Sequence, residues 1–149
     1  MLRLTKRADY GLMAIYYIAS AQGEHGAVSA KRIAEEFHIP QERLAKILQR
    51  LAKKKLIESH NGPKGGYILT RAPREITVGQ VLRALEGPLR IVSCMDSDDC
   101  PQYSRCNLRL PVQKLQTSIS SLLDTMSLAE LTAEPAEPAA PARALAIIH

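Results

Sequence analysis

The sequence lacks the features that mark several large functional classes. No apolar run approaches the roughly 20 residues that cross a bilayer, and the N-terminus has no uninterrupted apolar stretch typical of a secretory signal. There is no glycine-rich phosphate loop, no nucleophile and base motif and no cofactor fingerprint. We therefore expect a cytoplasmic protein that is not an enzyme, has no small-molecule substrate and does not contact the membrane.

Acidic residues are outnumbered by basic ones. The 149 residues include 20 lysines and arginines against 15 aspartates and glutamates, which gives a formal net charge of +5. This length suits one compact domain, or a small domain with an arm. A basic balance favours a polyanion as partner, although the distribution of the charge is more informative than its sum.

Cysteine is scarce, and its three copies are clustered. Cys94, Cys100 and Cys106 form a C-x5-C-x5-C pattern among polar, turn-forming residues, with no histidine between them. In a reducing compartment, clustered cysteines are more often metal ligands or redox sensors than disulfides. Soft thiolates favour iron-sulfur, zinc or copper(I). The spacing differs from the C-x2-C pairs of structural zinc sites and ferredoxins, so the identity of the metal stays open at this point.

Upstream of the cysteines, the pattern predicts a winged helix-turn-helix. An amphipathic helix from about residue 3 to 21 precedes a short helix capped by Ser29, and Pro40 begins a third, basic helix. Two short strands around the glycine-rich tip 60–66 then predict a β-wing. Such a helix enters the major groove of DNA while the wing contacts the backbone or minor groove. The alternative, a merely solvated basic face, is less favoured in this context.

Downstream, Thr77 and Gln80 predict a capped helix, and a long helix follows the cysteines. The long helix has apolar residues at alternating spacings of four and three, which is the seam of a coiled coil: Leu108, Val112, Leu115, Ile119, Leu122 and Met126. This seam predicts a dimer, although it also suits packing against the chain's own first helix. The fold class is thus mainly α, a winged helix-turn-helix with a two-stranded β-wing and a long C-terminal dimerisation helix.

Four stretches together resemble the Rrf2 family of bacterial transcription regulators. They are MLRLTKRADYGL, LAKILQRLAKKKLIESHNGPKGGYIL, ITVGQVLRALEG and the cysteine triplet before a long helix. The resemblance covers about residues 1 to 128. It implies a homodimer crossed at the C-terminal helices, with an iron-sulfur cluster near the dimer interface and a palindromic operator in double-stranded DNA as partner.

The resemblance also implies site residues. Cys94, Cys100 and Cys106 match the three cluster ligands of the family. The IscR type adds a histidine three residues after the last cysteine, where this chain has Arg109. The NsrR type uses an aspartate early in the first helix of the partner subunit, and Asp9 stands at the matching place. This set inclines the prediction to a 4Fe-4S rather than a 2Fe-2S cluster.

By the same resemblance, DNA contacts come from the N-terminal arm, the helix-turn-helix and the wing: Arg3, Thr5, Lys6, Ser29, Glu42, Arg43, Lys46, Arg50, Lys53, Asn61, Lys64 and Gly65. The predicted organisation is a DNA-binding domain over residues 1–74, whose first helix also packs at the dimer interface, a linker helix over 75–91, a cluster-binding loop over 92–107, a dimerisation helix over 108–128 and a flexible Ala/Pro-rich tail over 129–149.

The sequence therefore predicts a transcription regulator, a repressor, whose operator binding is controlled by a cluster that senses nitric oxide, oxygen or redox state, or iron-sulfur supply. The alternative is a regulator of the same fold without a cluster, which uses zinc or a thiol and disulfide switch.

Overall fold

The computed structural model describes residues 3–92 and 100–133, except for the side chains of residues 23–25. These residues contain helices, one short 3-10 turn at Pro73–Glu75 and one antiparallel pair of strands. The elements in chain order are α1 (Lys6–His25), α2 (Ala30–Phe37), α3 (Gln41–Lys53), β1 (Ile57–His60), β2 (Gly66–Leu69), α4 (Val78–Glu86), α5 (Arg109–Thr125) and α6 (Leu128–Thr132).

The helix-turn-helix consists of α2 and α3. Ser29 caps α2, because its Oγ accepts a hydrogen bond from the Arg32 amide at 3.2 Å. His38 ends α2 in the left-handed conformation, with φ 51°, and Pro40 stands immediately before α3. The apolar stripe of α3 faces the core, with Leu44, Ile47, Leu48 and Leu51 buried.

The wing is fixed to the helix-turn-helix by its second strand. β1 and β2 pair in the register Ile57 opposite Leu69 through His60 opposite Gly66. The Tyr67 amide donates to the carbonyl of Val28 at 2.7 Å, and the Val28 amide returns a bond at 3.0 Å. A Cβ on Gly66 would lie 2.4 Å from the backbone of Val28, so this approach requires glycine. The predicted mainly helical fold with a two-stranded wing is confirmed.

Helix α4 packs between α1, α3 and α5. Its N-terminus has the predicted capping box: the Gln80 amide donates to Thr77 Oγ1, and the Thr77 amide donates to Gln80 Oε1, both at 3.2 Å. Leu85, near its C-terminus, is fully buried in the main core with Ile15 and Ile18 of α1. The cysteine segment follows α4 in the chain.

The C-terminal part differs from the prediction of a single helix over 108–128 and a tail from 129. α5 ends at Thr125, and the chain turns back so that the Leu128 amide donates to the carbonyl of Ile76 at 2.8 Å. Leu128 is fully buried in the main core and begins α6. Ser127 and Glu130 form a capping box that starts this helix. Residues 134–149 of the predicted tail lie outside the described residues.

Among the helices within the described residues, none combines the length and the apolar character needed to cross a bilayer.

Candidate nucleic-acid interface and cysteine segment

The outer side of α3 is basic because its large apolar residues face the core. Arg43, Lys46 and Lys53 are exposed, and Glu42 is exposed at the start of the helix. This is the arrangement that a recognition helix needs. Its hydrophobic stripe sets the orientation, and its charged stripe remains free of the protein interior.

An open cleft of about 660 Å³ lies between the start of α1 and this face of α3. Of the described residues that line it, six are basic and none is acidic: Thr5, Lys6, Arg7, Arg43, Lys46, Ile47, Gln49, Arg50 and Lys53. A cleft lined by positive charges attracts anions and raises their local concentration. Six of the predicted DNA contacts line this cleft. Arg7 and Gln49 are additions that the sequence prediction missed, although Arg7 lies directly beside Lys6.

Two of the arginines in this cleft also bond to the end of α4. Nη1 of Arg50 donates to the carbonyl oxygen of Leu85 at 3.1 Å, and Nη1 of Arg7 donates to the same oxygen at 3.3 Å. Oε1 of Glu86 accepts a hydrogen bond from the Thr5 hydroxyl at 2.7 Å and lies 3.6 Å from Nε of Arg7. Cations near a helix C-terminus complement its dipole. Arg50, a predicted DNA contact, thus has a partner within the protein.

The wing and the N-terminal residues place the other predicted DNA contacts at the surface. Asn61 and Lys64 are exposed, and Gly65 is half-buried in the turn that its amide closes by donating to the Gly62 carbonyl at 2.9 Å. Arg3 is exposed at the start of the described chain. Ser29 is half-buried; its oxygen accepts the helix cap bond, so its hydroxyl proton remains available to donate.

The cysteine segment is described from residue 100 onward, and Cys94 lies outside the described residues. Cys100 is half-buried, Cys106 is exposed, and both are free thiols. A turn follows Cys100, closed by the amide of Tyr103 at 2.9 Å from the Cys100 carbonyl. Arg109, at the position of the IscR-type histidine, places its guanidinium 4.0 Å from the ring centroid of Tyr103.

Asp9 is half-buried on the first turn of α1, beside a small cleft lined by Arg3, Leu4, Thr5 and Lys6. In the part of the chain that the structure describes, no three histidine, cysteine, aspartate or glutamate side chains gather into a metal-binding group. The predicted donor set also draws on Cys94 and on a second subunit. The chemistry of the described donors, soft thiols with a carboxylate, fits an iron site.

Helix α5 buries none of its residues within the chain. Three of its predicted seam residues, spaced by seven, are more than half exposed: Leu108 at 61%, Leu115 at 55% and Leu122 at 59%. The alternate members are half-buried, and Met126 packs against a small cluster of Ala8, Val78 and Leu82. The seam thus divides into a side that contacts its own chain and a row of open leucines.

Comparisons with known proteins agree with this geometry. The model of the Rrf2 family, described as iron-dependent transcriptional regulator, matches residues 4–134. Over 134 residues the chain is 30% identical to the transcriptional repressor NsrR of Streptomyces coelicolor, covering 90% of each protein.

Two solved structures are also similar. IscR of T. potens has a TM-score of 0.68 and 34% identity, covering 87% of this chain and 85% of that one. CymR, the global cysteine regulator of B. subtilis, has a TM-score of 0.74 and 28% identity, covering 89% and 97%. The family model matches most of the chain, and the basic helix-turn-helix with its wing agrees with these relatives. This chain therefore belongs to the Rrf2 family and is a winged-helix, DNA-binding transcription regulator, not an enzyme.

Proposed function

We propose that this regulator binds a palindromic operator as a homodimer and represses transcription, and that an iron-sulfur cluster controls its affinity for DNA. The observation that carries the DNA part is the basic cleft between α1 and α3, whose described lining contains six basic side chains and no acidic one. A regulator acts where the DNA is, so the proposal places the protein in the cytoplasm.

The front of α3 reads bases in this proposal. The side chains of Arg43 and Lys46 can donate to guanine edges, and Glu42 can accept from cytosine. Lys53, at the end of the helix, is better placed for phosphates, as are the wing residues Asn61 and Lys64. Two subunits related by a two-fold axis present two such helices, which is why the operator is expected to be palindromic.

The dimer is proposed to form through the open leucines of α5. A helix of 17 residues that buries no side chain in its own chain has a face that remains to be covered. Its leucines repeat every seven residues, which suits a second copy of the same helix. A crossing of the two helices near their starts would also bring the two cysteine segments to the dimer interface.

We propose Cys94, Cys100, Cys106 and the partner subunit's Asp9 as the ligands. When bound, a cluster supplies iron that reacts with oxygen or nitric oxide, and an oxygen ligand binds iron more weakly than a thiolate does. Three thiolates and one carboxylate favour a 4Fe-4S over a 2Fe-2S cluster. The description of the family as iron-dependent supports this proposal. DNA affinity responds to the cluster only where loaded and cluster-free dimers differ in their fit to DNA.

A second candidate is a cluster-free regulator with a thiol and disulfide or zinc switch. The free, accessible thiols of Cys100 and Cys106 and the likeness to the cysteine regulator CymR favour it. In this case the same segment changes its covalent or zinc-bound state instead.

Purification without oxygen separates the two candidates. The cluster proposal expects a brown protein with stoichiometric iron and acid-labile sulfide per monomer, an altered visible spectrum in Asp9→Ala and no cluster in Cys100→Ala. Glu36→Ala, which changes an exposed carboxylate on α2, is the matched control for Asp9. A colourless protein that cannot be reconstituted would overturn the cluster proposal. Mass spectrometry after oxidation would then test for a disulfide.

DNA binding is tested separately by its salt dependence. The logarithm of the association constant should fall steeply with the logarithm of salt concentration, because each phosphate contact releases counterions. Lys53→Ala should lower this slope by about 2, one unit for each subunit of the dimer. Lys114→Ala, an exposed lysine on α5, should leave the slope unchanged. Equal slopes for the two variants would contradict the assigned interface.

A further inference from the structure

One glutamine of α5 holds the chain at the entrance to the cysteine segment. Oε1 of Gln116 accepts a hydrogen bond from the Ile91 amide at 2.9 Å, and Nε2 of Gln116 donates one to the carbonyl of Leu89 at 2.5 Å. The same nitrogen donates to the hydroxyl of Ser120 at 3.2 Å. Both donor hydrogens and one acceptor site of the carboxamide are therefore used. The side chain pairs with residues 89–91 as a neighbouring strand would.

The position of this contact in the chain gives it a role beyond local packing. Residues 89–91 directly precede the segment that begins with Cys94, and Gln116 lies ten residues after Cys106. Within the segment, Arg109 of α5 stacks on Tyr103, which lies between Cys100 and Cys106 in the sequence. The same helix thus contacts the chain before the cysteine segment and inside it.

We propose that Gln116 is a positioning residue for the metal site, which fixes the entrance of the cysteine segment to α5 by bonding the backbone of Leu89 and Ile91. This inference rests on the proposed function, because it assigns a role toward the cluster. Cys94 is only three positions after Ile91 in the sequence, so the chain that leads to this proposed ligand starts from a backbone that Gln116 holds.

The physical reason is preorganisation. A metal site binds well when its ligands are held near the bound geometry before the metal arrives, and groups that orient the ligands typically change metal affinity or activity by about 10- to 100-fold when they are removed. An untied segment samples more conformations, and that freedom is lost on cluster binding. Without the Gln116 contact, a bound cluster should therefore be released more easily.

Gln116→Ala removes the carboxamide, and Gln113→Ala is the matched control, because Gln113 is exposed on the same helix one turn earlier. Alanine favours helix, so both variants should keep α5. Gln116→Glu tests the chemistry of the contact. It keeps an acceptor for the Ile91 amide but has no donor for the Leu89 carbonyl, so it should behave between wild type and Gln116→Ala.

Two measurements are needed. In the cluster-free protein, amide hydrogen exchange by NMR should show Ile91 exchanging at least about tenfold faster in Gln116→Ala than in wild type or Gln113→Ala, because its hydrogen bond is lost. In the anaerobic, loaded protein, the visible absorbance should decay on addition of an iron chelator about tenfold faster in Gln116→Ala than in either reference.

Unchanged exchange of Ile91 would show that the contact does not hold the entrance, and faster exchange with unchanged cluster loss would show that it does not serve the metal. Either result overturns the inference. A wild-type protein without a cluster would overturn the cluster proposal and this inference together. The exchange data on the cluster-free protein would then still report whether the contact itself forms.

Discussion

The open leucine row of α5 allows the dimer to be tested with a predicted magnitude. Leu115 is 55% exposed in the single chain, so about half of its side chain remains to be covered by a partner. Burying a whole leucine side chain stabilises by about 1.5–3 kcal/mol, and half of this is about 0.75–1.5 kcal/mol. In a two-fold dimer the residue occurs twice, so Leu115→Ala should weaken dimerisation by about 1.5–3 kcal/mol.

Because about 1.4 kcal/mol corresponds to a factor of ten in Kd, the dimer dissociation constant should rise roughly 10- to 140-fold. Sedimentation equilibrium over a range of protein concentrations measures it directly. Far-UV circular dichroism should stay unchanged, because α5 contributes no buried residue to the single chain.

Leu110→Ala is the matched control. Leu110 is on the same helix and is 69% exposed, but it lies outside the row of Leu108, Leu115 and Leu122. Its replacement should change the dissociation constant less than threefold. If both leucines prove equally important, or if Leu115→Ala leaves the dimer intact, the dimer forms through another surface and the reasoning from the heptad is wrong.

Three further predictions concern the fold and its link to DNA. A Cβ on Gly11 would lie 2.1 Å from Cδ1 of the buried Leu85. Gly11→Ala should therefore lower the free energy of unfolding, measured in urea, by about 1–3 kcal/mol. If the variant is as stable as wild type, α1 and α4 move apart without strain. Arg50→Ala removes a hydrogen bond to the Leu85 carbonyl and should lower the free energy of unfolding by about 1 kcal/mol. The salt dependence of DNA binding should keep the wild-type slope. A lower slope would show that Arg50 contacts a phosphate instead. Hydrogen bonds from the backbone and then the side chain of Ser127 lower the pKa of Glu130, so this stabilisation is present above the pKa of the unfolded chain and is lost as pH falls through the folded value. Protection of the α6 amides, taken relative to their intrinsic exchange rates at each pH, should therefore fall on acidification in wild type, and a Glu130→Gln variant with the same response would contradict this cause.

Much of the fold follows from local patterns in the sequence. The cap at Ser29, the capping box at Thr77 and Gln80, and the buried stripe of α3 depend on residues within a few positions of each other, and all three occur in the structure. The start of α6 carries the same kind of signal. Ser127 and Glu130 have capping-box spacing, but the alanines and prolines that follow favour a flexible tail and obscured it.

The partners of charged side chains could not be predicted in this way. Lys46, Arg50 and Lys53 recur at helical spacing on one exposed face of α3, so periodicity treats them alike. The structure separates them because the C-terminal carbonyl of Leu85, 35 residues further along the chain, lies within reach of the Arg50 guanidinium. The same holds for Gln116, whose partners lie 25 and 27 residues away. Such contacts depend on tertiary packing, which a single sequence does not display.

These non-local contacts attach to one short stretch of chain, which links the basic cleft between α1 and α3 to the residues before the cysteine segment. The carbonyl of Leu85 receives Arg7 from α1 and Arg50 from α3, and the backbone only four and six residues later is bonded to Gln116 of α5. A change at the cysteine segment therefore has a short physical route to the recognition helix, through the end of α4. If this route carries the signal, Arg50→Ala must reduce the ratio of DNA affinities between loaded and cluster-free protein, whereas loss of a phosphate contact would weaken both forms by the same factor.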